Sequence, residues 1–143
     1  MPVHNRSFAF TSALDLLSAI KTKAVSPVEV MQDCIQRMQA LEPTLNCFVT
    51  TTPEMALRAA RQAERAVMAG EALGALHGIP ISVKDLIAVG GIKQTFGSRT
   101  QASHVAAADA PSVPASPSTP RSTTSPAARL VRACQQRITS APG

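Results

Sequence analysis

An α/β fold, incomplete on its own, is what this chain predicts: an N-terminal helical layer, the first strands of a sheet, and a disordered C-terminal tail. Three observations carry that expectation. Residues 11–70 hold three apolar-striped segments with helix start and stop signals, and residues 47–51 and 79–83 are short strand-like runs. From Pro114 onward the periodicity stops, and no glycine occurs between Gly97 and Gly143. Residues 1–113 therefore read as the N-terminal part of a domain, and residues 114–143 as a low-complexity tail of Pro, Ser, Thr, Ala and Arg.

Each element has its own local reason. Ala13, Leu14, Leu16, Leu17 and Ile20 share one side of a helix that starts near Thr11 or Ser12 and ends around Lys23. Ser26, Pro27 and Glu29 then form an N-terminal signature: Ser26 as cap, Pro27 in the first helical position, and Glu29 reaching back as the capping-box partner. The apolar stripe that follows, Val30, Met31, Cys34, Ile35, Met38 and Leu41, is expected to stop before Pro43. Residues 47–51 are β-branched and aromatic, a strand candidate. Thr52 and Pro53 open a third helix that runs through Ala69 to a C-cap at Gly70. Its inner face, Met55, Ala56, Ala59, Ala63, Ala66 and Val67, is mostly small and suits close packing, whereas Arg58, Arg61, Glu64 and Arg65 point outward. A second strand is expected over 79–83, with Gly90, Gly91 and Gly97 punctuating the loop beyond it. Two strands make a poor sheet, so the helices would lie on strands supplied elsewhere. In the tail, Leu130, Val131 and Cys134 allow a short helix over 127–136, although Pro114, Pro117, Pro120 and Pro126 interrupt anything longer.

Composition narrows the function classes. With 143 residues and 45% apolar content, one small domain with a core is feasible. The net charge of +5 is lopsided: residues 1–98 contribute +1 and residues 99–143 contribute +4. The basic balance thus belongs to the tail, where Arg121, Arg129, Arg132 and Arg137 lack the interleaved aromatic residues of a nucleic-acid surface, so no nucleic-acid partner is expected. Cys34, Cys47 and Cys134 are too scattered for a disulfide framework or a paired-cysteine metal site, which fits a reducing, cytoplasmic setting. Neither an export signal nor a run of about 18 apolar residues is visible, so no membrane partner is expected. His4, His77 and His104 stand apart from one another and from acidic partners, giving no metal site.

Chemistry concentrates in residues 76–99, where an apolar run delivers Lys84 into a glycine-punctuated loop. Taken alone, a lysine at a strand end is more often a solvated group than a reactive one. The surrounding residues change that balance. Leu76, His77, Gly78, Ile79, Pro80, Ile81, Ser82, Val83, Lys84, Asp85 and Leu86 resemble the segment that carries the catalytic lysine in the amidase signature family. The resemblance extends forward through Val89, Gly90, Gly91, Ile92, Lys93, Gln94, Thr95, Phe96, Gly97 and Ser98, and more weakly to residues 109–113. Backward it takes in the Ser26, Pro27, Val28, Glu29 helix start and Leu45, Asn46, Cys47, Phe48 and Val49.

That resemblance implies an amidase-type α/β/α fold and hydrolysis or transfer at a carboxamide C–N bond by a serine nucleophile, a second serine in a cis peptide, and a lysine. Lys84 is the lysine it implies; no cofactor and no metal are implied. A lysine in this role accepts a serine hydroxyl proton, directly or through the bridging serine, and for that it must be neutral. Burial or nearby positive charge makes it so, and the end of a buried apolar strand is the setting expected here. The serines and oxyanion donors of the family are expected in glycine- and serine-rich segments further on, which this sequence does not show. Ser122, Thr123, Thr124 and Ser125 have hydroxyls without a glycine to bend amide groups around an oxyanion. Ser82 reads as strand packing or a local hydrogen bond, and Asp85 as a loop-orienting group or an ion-pair partner.

Three readings remain open on the sequence. In the first, the chain is a truncated amidase that keeps only the lysine, its tail out of frame from near codon 113. In the second, it is a non-catalytic helical module that oligomerises through its N-terminal layer and uses the basic tail as an interaction arm. In the third, it is a small hydrolase whose serines come from a partner chain. A small-molecule amide is the expected partner of the parent enzyme, and a homo-oligomer fits the helical layer; the substrate itself is not legible.

Overall fold

The computed structural model describes residues 7–113 and 131–136. Helix α1, Ala13–Lys21, starts where Ser12 accepts the Asp15 N–H (3.1 Å). It ends in a left-handed turn at Lys23 (φ 61°), whose N–H donates to the Ile20 carbonyl. Leu16, Leu17 and Ile20 are buried as the stripe predicts, but Leu14 is 78% exposed and lies off the packed face.

Helix α2, Pro27–Leu45, forms the expected capping box: Ser26 accepts the Val28 N–H (2.9 Å) and Glu29 accepts the Ser26 N–H (2.9 Å). The Ser26 hydroxyl also donates to the Glu64 carboxylate, which ties the start of α2 to α3. The helix does not stop at Pro43. That proline sits in the last turn, where it forfeits one hydrogen bond at an exposed position, and the helix ends at left-handed Asn46 (φ 46°). Glu42 then accepts the N–H groups of Cys47 (3.2 Å) and Phe48 (3.0 Å), turning the chain into strand β1, Phe48–Thr51.

Helix α3, Pro53–Met68, buries Ala56, Ala60, Ala63, Ala66 and Val67. Its C-terminus is a Schellman turn: Gly70 (φ 71°) donates to Val67 and Glu71 donates to Ala66. The small inner face lets α2 and α3 approach, with Met31 and Ile35 packed against Ala56 and Ala60. A second cluster joins Leu16, Leu17 and Ile20 of α1 to Val25, Val30, Val67 and Ile79.

Strand β2, Pro80–Lys84, follows. The third strand, β3, Val131–Gln136, comes from the tail and stands where the sequence allows a short helix over 127–136. It lies in the middle of a sheet of order β1-β3-β2, antiparallel to β1 and parallel to β2. The physical reason is that β1 and β2 both present unpaired main-chain groups, which an extended segment satisfies and a helix cannot. The disorder expected over the rest of residues 114–143 lies outside the described residues, as does His4. Among the described residues no helix is long and apolar enough to cross a membrane.

Candidate functional site

Strand β2 alternates, and the alternation decides what Lys84 faces. Val83 is buried, in a cluster with Val89, Ile92 and Val113, while Ser82 and Lys84 are exposed on the opposite face. Lys84 therefore sits at the strand end as expected, but not in the buried setting expected of it. Just before the strand, the consecutive residues His77, Gly78 and Ile79 are all buried.

The next residue is the organiser of the region. Asp85 is fully buried, and its carboxylate accepts the Thr95 N–H (2.8 Å), the Thr95 hydroxyl (2.6 Å) and the Gly97 N–H (3.1 Å). Of the two roles open to Asp85 on the sequence, the structure selects loop orientation. These bonds hold a tight turn over residues 95–98, in which Phe96 (φ 53°) and Gly97 (φ 71°) are both left-handed and Ser98 N–H donates to Thr95 O (2.8 Å). Positive φ at both central residues marks a type I′ turn; Gly97 takes it without strain, and Phe96 is held there by the bonds on either side. Close to Lys84 itself, Ile87 N–H donates to the Lys84 carbonyl (2.8 Å), so the chain reverses directly after the lysine.

A second segment straps this loop. Gln94 N–H donates to His104 O (3.0 Å), Gly91 N–H to Ala106 O (2.8 Å), and Ala110 N–H to Ala88 O (2.9 Å). Asp109 accepts the Gly90 N–H (2.8 Å), and the Phe96 and His104 rings lie 6.0 Å apart. The loop carrying Phe96 and Ser98 is thus anchored from both sides, by Asp85 beneath and residues 104–110 alongside.

The remaining candidates fall elsewhere. Ser98 exchanges a hydrogen bond with the Thr100 hydroxyl (2.8 Å) and accepts the Thr100 N–H (3.3 Å), capping a short 3-10 turn over Arg99–Gln101. Ser122, Thr123, Thr124 and Ser125 lie outside the described residues. His77 is buried 14 residues beyond Ala63, with its Nε2 2.9 Å from the Ala63 carbonyl and its Nδ1 without a partner among the described residues, so it fixes the loop before β2 to α3. Partial burial, then the Asp33 charge, raises the Cys34 thiol; partial burial, then the hydrogen bond and charge of Glu42, raises that of Cys47. Neither thiol is thereby activated. Among the described residues no three His, Cys, Asp or Glu side chains converge as a metal site. Sequence reasoning missed Thr95 and Gly97 as the partners of Asp85. A threonine and a glycine two residues apart, beyond a buried acidic residue, are the signal that could have found them.

The comparisons point one way. Residues 29–115 match the amidase family. An acylamidase from Rhodococcus erythropolis is 37% identical over 99 residues, which is 69% of this chain and 21% of that protein. A glutamyl-tRNA(Gln) amidotransferase polypeptide from Methylococcus capsulatus is 42% identical over 96 residues, 67% of this chain and 20% of that one. Among solved structures, a bacterial aryl acylamidase of the amidase signature enzymes superposes with a TM-score of 0.66 at 33% identity, over 69% of this chain and 21% of its own. The chain spans about a fifth of the length of these relatives.

Proposed function

This chain belongs to the amidase family, whose chemistry is at amide C–N bonds, and from that premise we propose that it carries the lysine part of an amidase site, with Lys84 as the proton acceptor. The observation that carries the proposal is the placement of Lys84: it ends β2 on the open face and is followed at once by the loop that Asp85 fixes. The reaction would run through the neutral lysine amine. It takes a serine hydroxyl proton as the serine oxygen bonds to the carboxamide carbon, the C–N bond breaks with the amine leaving protonated, and water releases the acyl group. The exposure of Lys84 in this chain means that the cover needed to keep such an amine neutral comes from chain packed over the open face of β2. Residues 98–142 hold no glycine, so glycine-bearing loops of the kind that would carry the serines and the oxyanion donors are not among them. A tail read out of frame from near codon 113 accounts for that gap, and translating the gene in all three frames tests it.

The functional test is a chimera in which residues 29–115 replace the matching segment of the Rhodococcus acylamidase. Amide hydrolysis by the chimera, and its loss by about 10²–10⁴-fold on Lys84→Ala, are the expected results. An active chimera unaffected by Lys84→Ala removes the lysine from the mechanism.

One observation favours the helical-module reading beside this one: Phe10 is 94% and Leu14 78% exposed at the start of the helical layer. Sedimentation of the chain separates the two, since an oligomerisation module dissociates on Leu14→Lys.

A further inference from the structure

Strands β1 and β2 share no hydrogen-bonded ladder; among the described residues each pairs only with β3. Removing β3 would leave both with an open edge, and α3, which lies against β3, with an uncovered side. The gap has a fixed polarity, because an occupant must run parallel to β2 and antiparallel to β1. Its fit to the present occupant is imperfect on both sides. The register shifts between Phe48 and Thr50 along β1, and between Ile81 and Ser82 along β2. Main-chain ladders hold a strand without specifying its side chains, and such slips shorten the continuous ladder that would lock one strand in.

We infer that the gap between β1 and β2 is an acceptor site for an extended peptide strand, which the chain fills with its own residues 131–136 and from which that strand is exchangeable. The ligand class is an extended peptide of about six residues, bound by main-chain hydrogen bonds in the mode of strand addition. This gives the tail a role that its composition does not suggest, and it stands independently of Lys84.

Gln135 faces Thr50 on one side and Val83 on the other in the register, so Gln135→Pro in the full chain removes an N–H in a strand paired on both edges. Hydrogen exchange is then read at β1, β2 and α2, with and without a synthetic peptide of residues 128–139 carrying Cys134→Ser. The expected result is that protection of Thr50 and Val83 falls about tenfold or more while Met31 and Ile35 change less than about twofold. The peptide restores the protection, and the same peptide with Gln135→Pro does not. Unchanged protection of Thr50 and Val83 in the variant overturns the inference, as does failure of the peptide to restore it at about 1 mM. If the variant loses α2 protection as well, the deciding measurement is titration of the unaltered chain with fluorescein-labelled 128–139 peptide. Saturable binding that unlabelled peptide competes away supports exchange, and no saturable binding up to about 1 mM overturns it.

Discussion

Gly78→Ala should destabilise the protein by more than its single added methyl group suggests, because two separate penalties meet at that position. Gly78 is buried just before β2 and has φ +77°, a conformation that costs an L-residue about 1–2 kcal/mol. A Cβ there would also lie 3.0 Å from Pro27 Cγ, 3.2 Å from Pro27 Cβ and 3.3 Å from Ile20 Cδ1. The Pro27 ring is rigid and fully buried at the start of α2, so it has little room to yield, and overpacking of this kind costs about 1–3 kcal/mol. Together the penalties come to about 2–5 kcal/mol, a large part of the total stability of a small domain. Gly70 supplies the internal control: its φ is +71°, but nothing lies within 4 Å of the position its Cβ would take. Gly70→Ala should therefore cost only the backbone share, about 1–2 kcal/mol. Urea unfolding of both variants, followed by circular dichroism and compared at constant m-value, measures the difference. The reasoning is refuted if Gly78→Ala is no more destabilising than Gly70→Ala.

Other outcomes follow from the same geometry. Ser26→Ala removes both the cap of α2 and the link to Glu64, and should cost about 1–2 kcal/mol in the same unfolding assay. Asp85→Ala leaves three donors without their acceptor and should cost about 3 kcal/mol. Faster hydrogen exchange at Thr95 and Gly97, with α1 unchanged, is its local signature; equal exchange at those two amides contradicts the loop-holding role. Lys84→Ala touches an exposed side chain and should shift the stability of this chain by less than about 0.5 kcal/mol; in the chimera, where other chain covers the face, urea unfolding of the Lys84→Ala chimera separates a chemical loss of activity from a structural one. Because the thiols of Cys34 and Cys47 are both raised, each holds less thiolate at pH 8 than a free cysteine does and should alkylate more slowly with iodoacetamide. Glu42→Gln should speed alkylation of Cys47 and leave Cys34 alone, as mass spectrometry of the two peptides will show.

Much of the helical layer was legible because its signals are local. A capping box needs only Ser26 and Glu29 at their spacing, and a Schellman turn needs only a glycine after an apolar stripe, so α2 began where the sequence placed it and α3 ended at Met68, next to the expected Ala69. Pro43 misled because a proline ends a helix only where the missing N–H or the ring clash matters, and in an exposed last turn the cost is small. Leu14 misled because the stripe defines a face but not how wide a partner covers it.

By itself, the sequence determined the family and the helix boundaries that rest on caps and turns, and it singled out the lysine proposed as proton acceptor. Each of these is written in residues close together along the chain. The tertiary structure decided the rest. It turned Lys84 toward the open face of β2, since which face of a strand is buried depends on what packs there. It gave Asp85 its role by bringing Thr95 and Gly97 back to it across a ten- and twelve-residue loop. It made residues 131–136 the central strand, although their own composition argued for a helix or for nothing. A strand is stabilised mainly by main-chain partners on its flanks, and those partners, β1 and β2, lie at least 47 residues earlier in the chain.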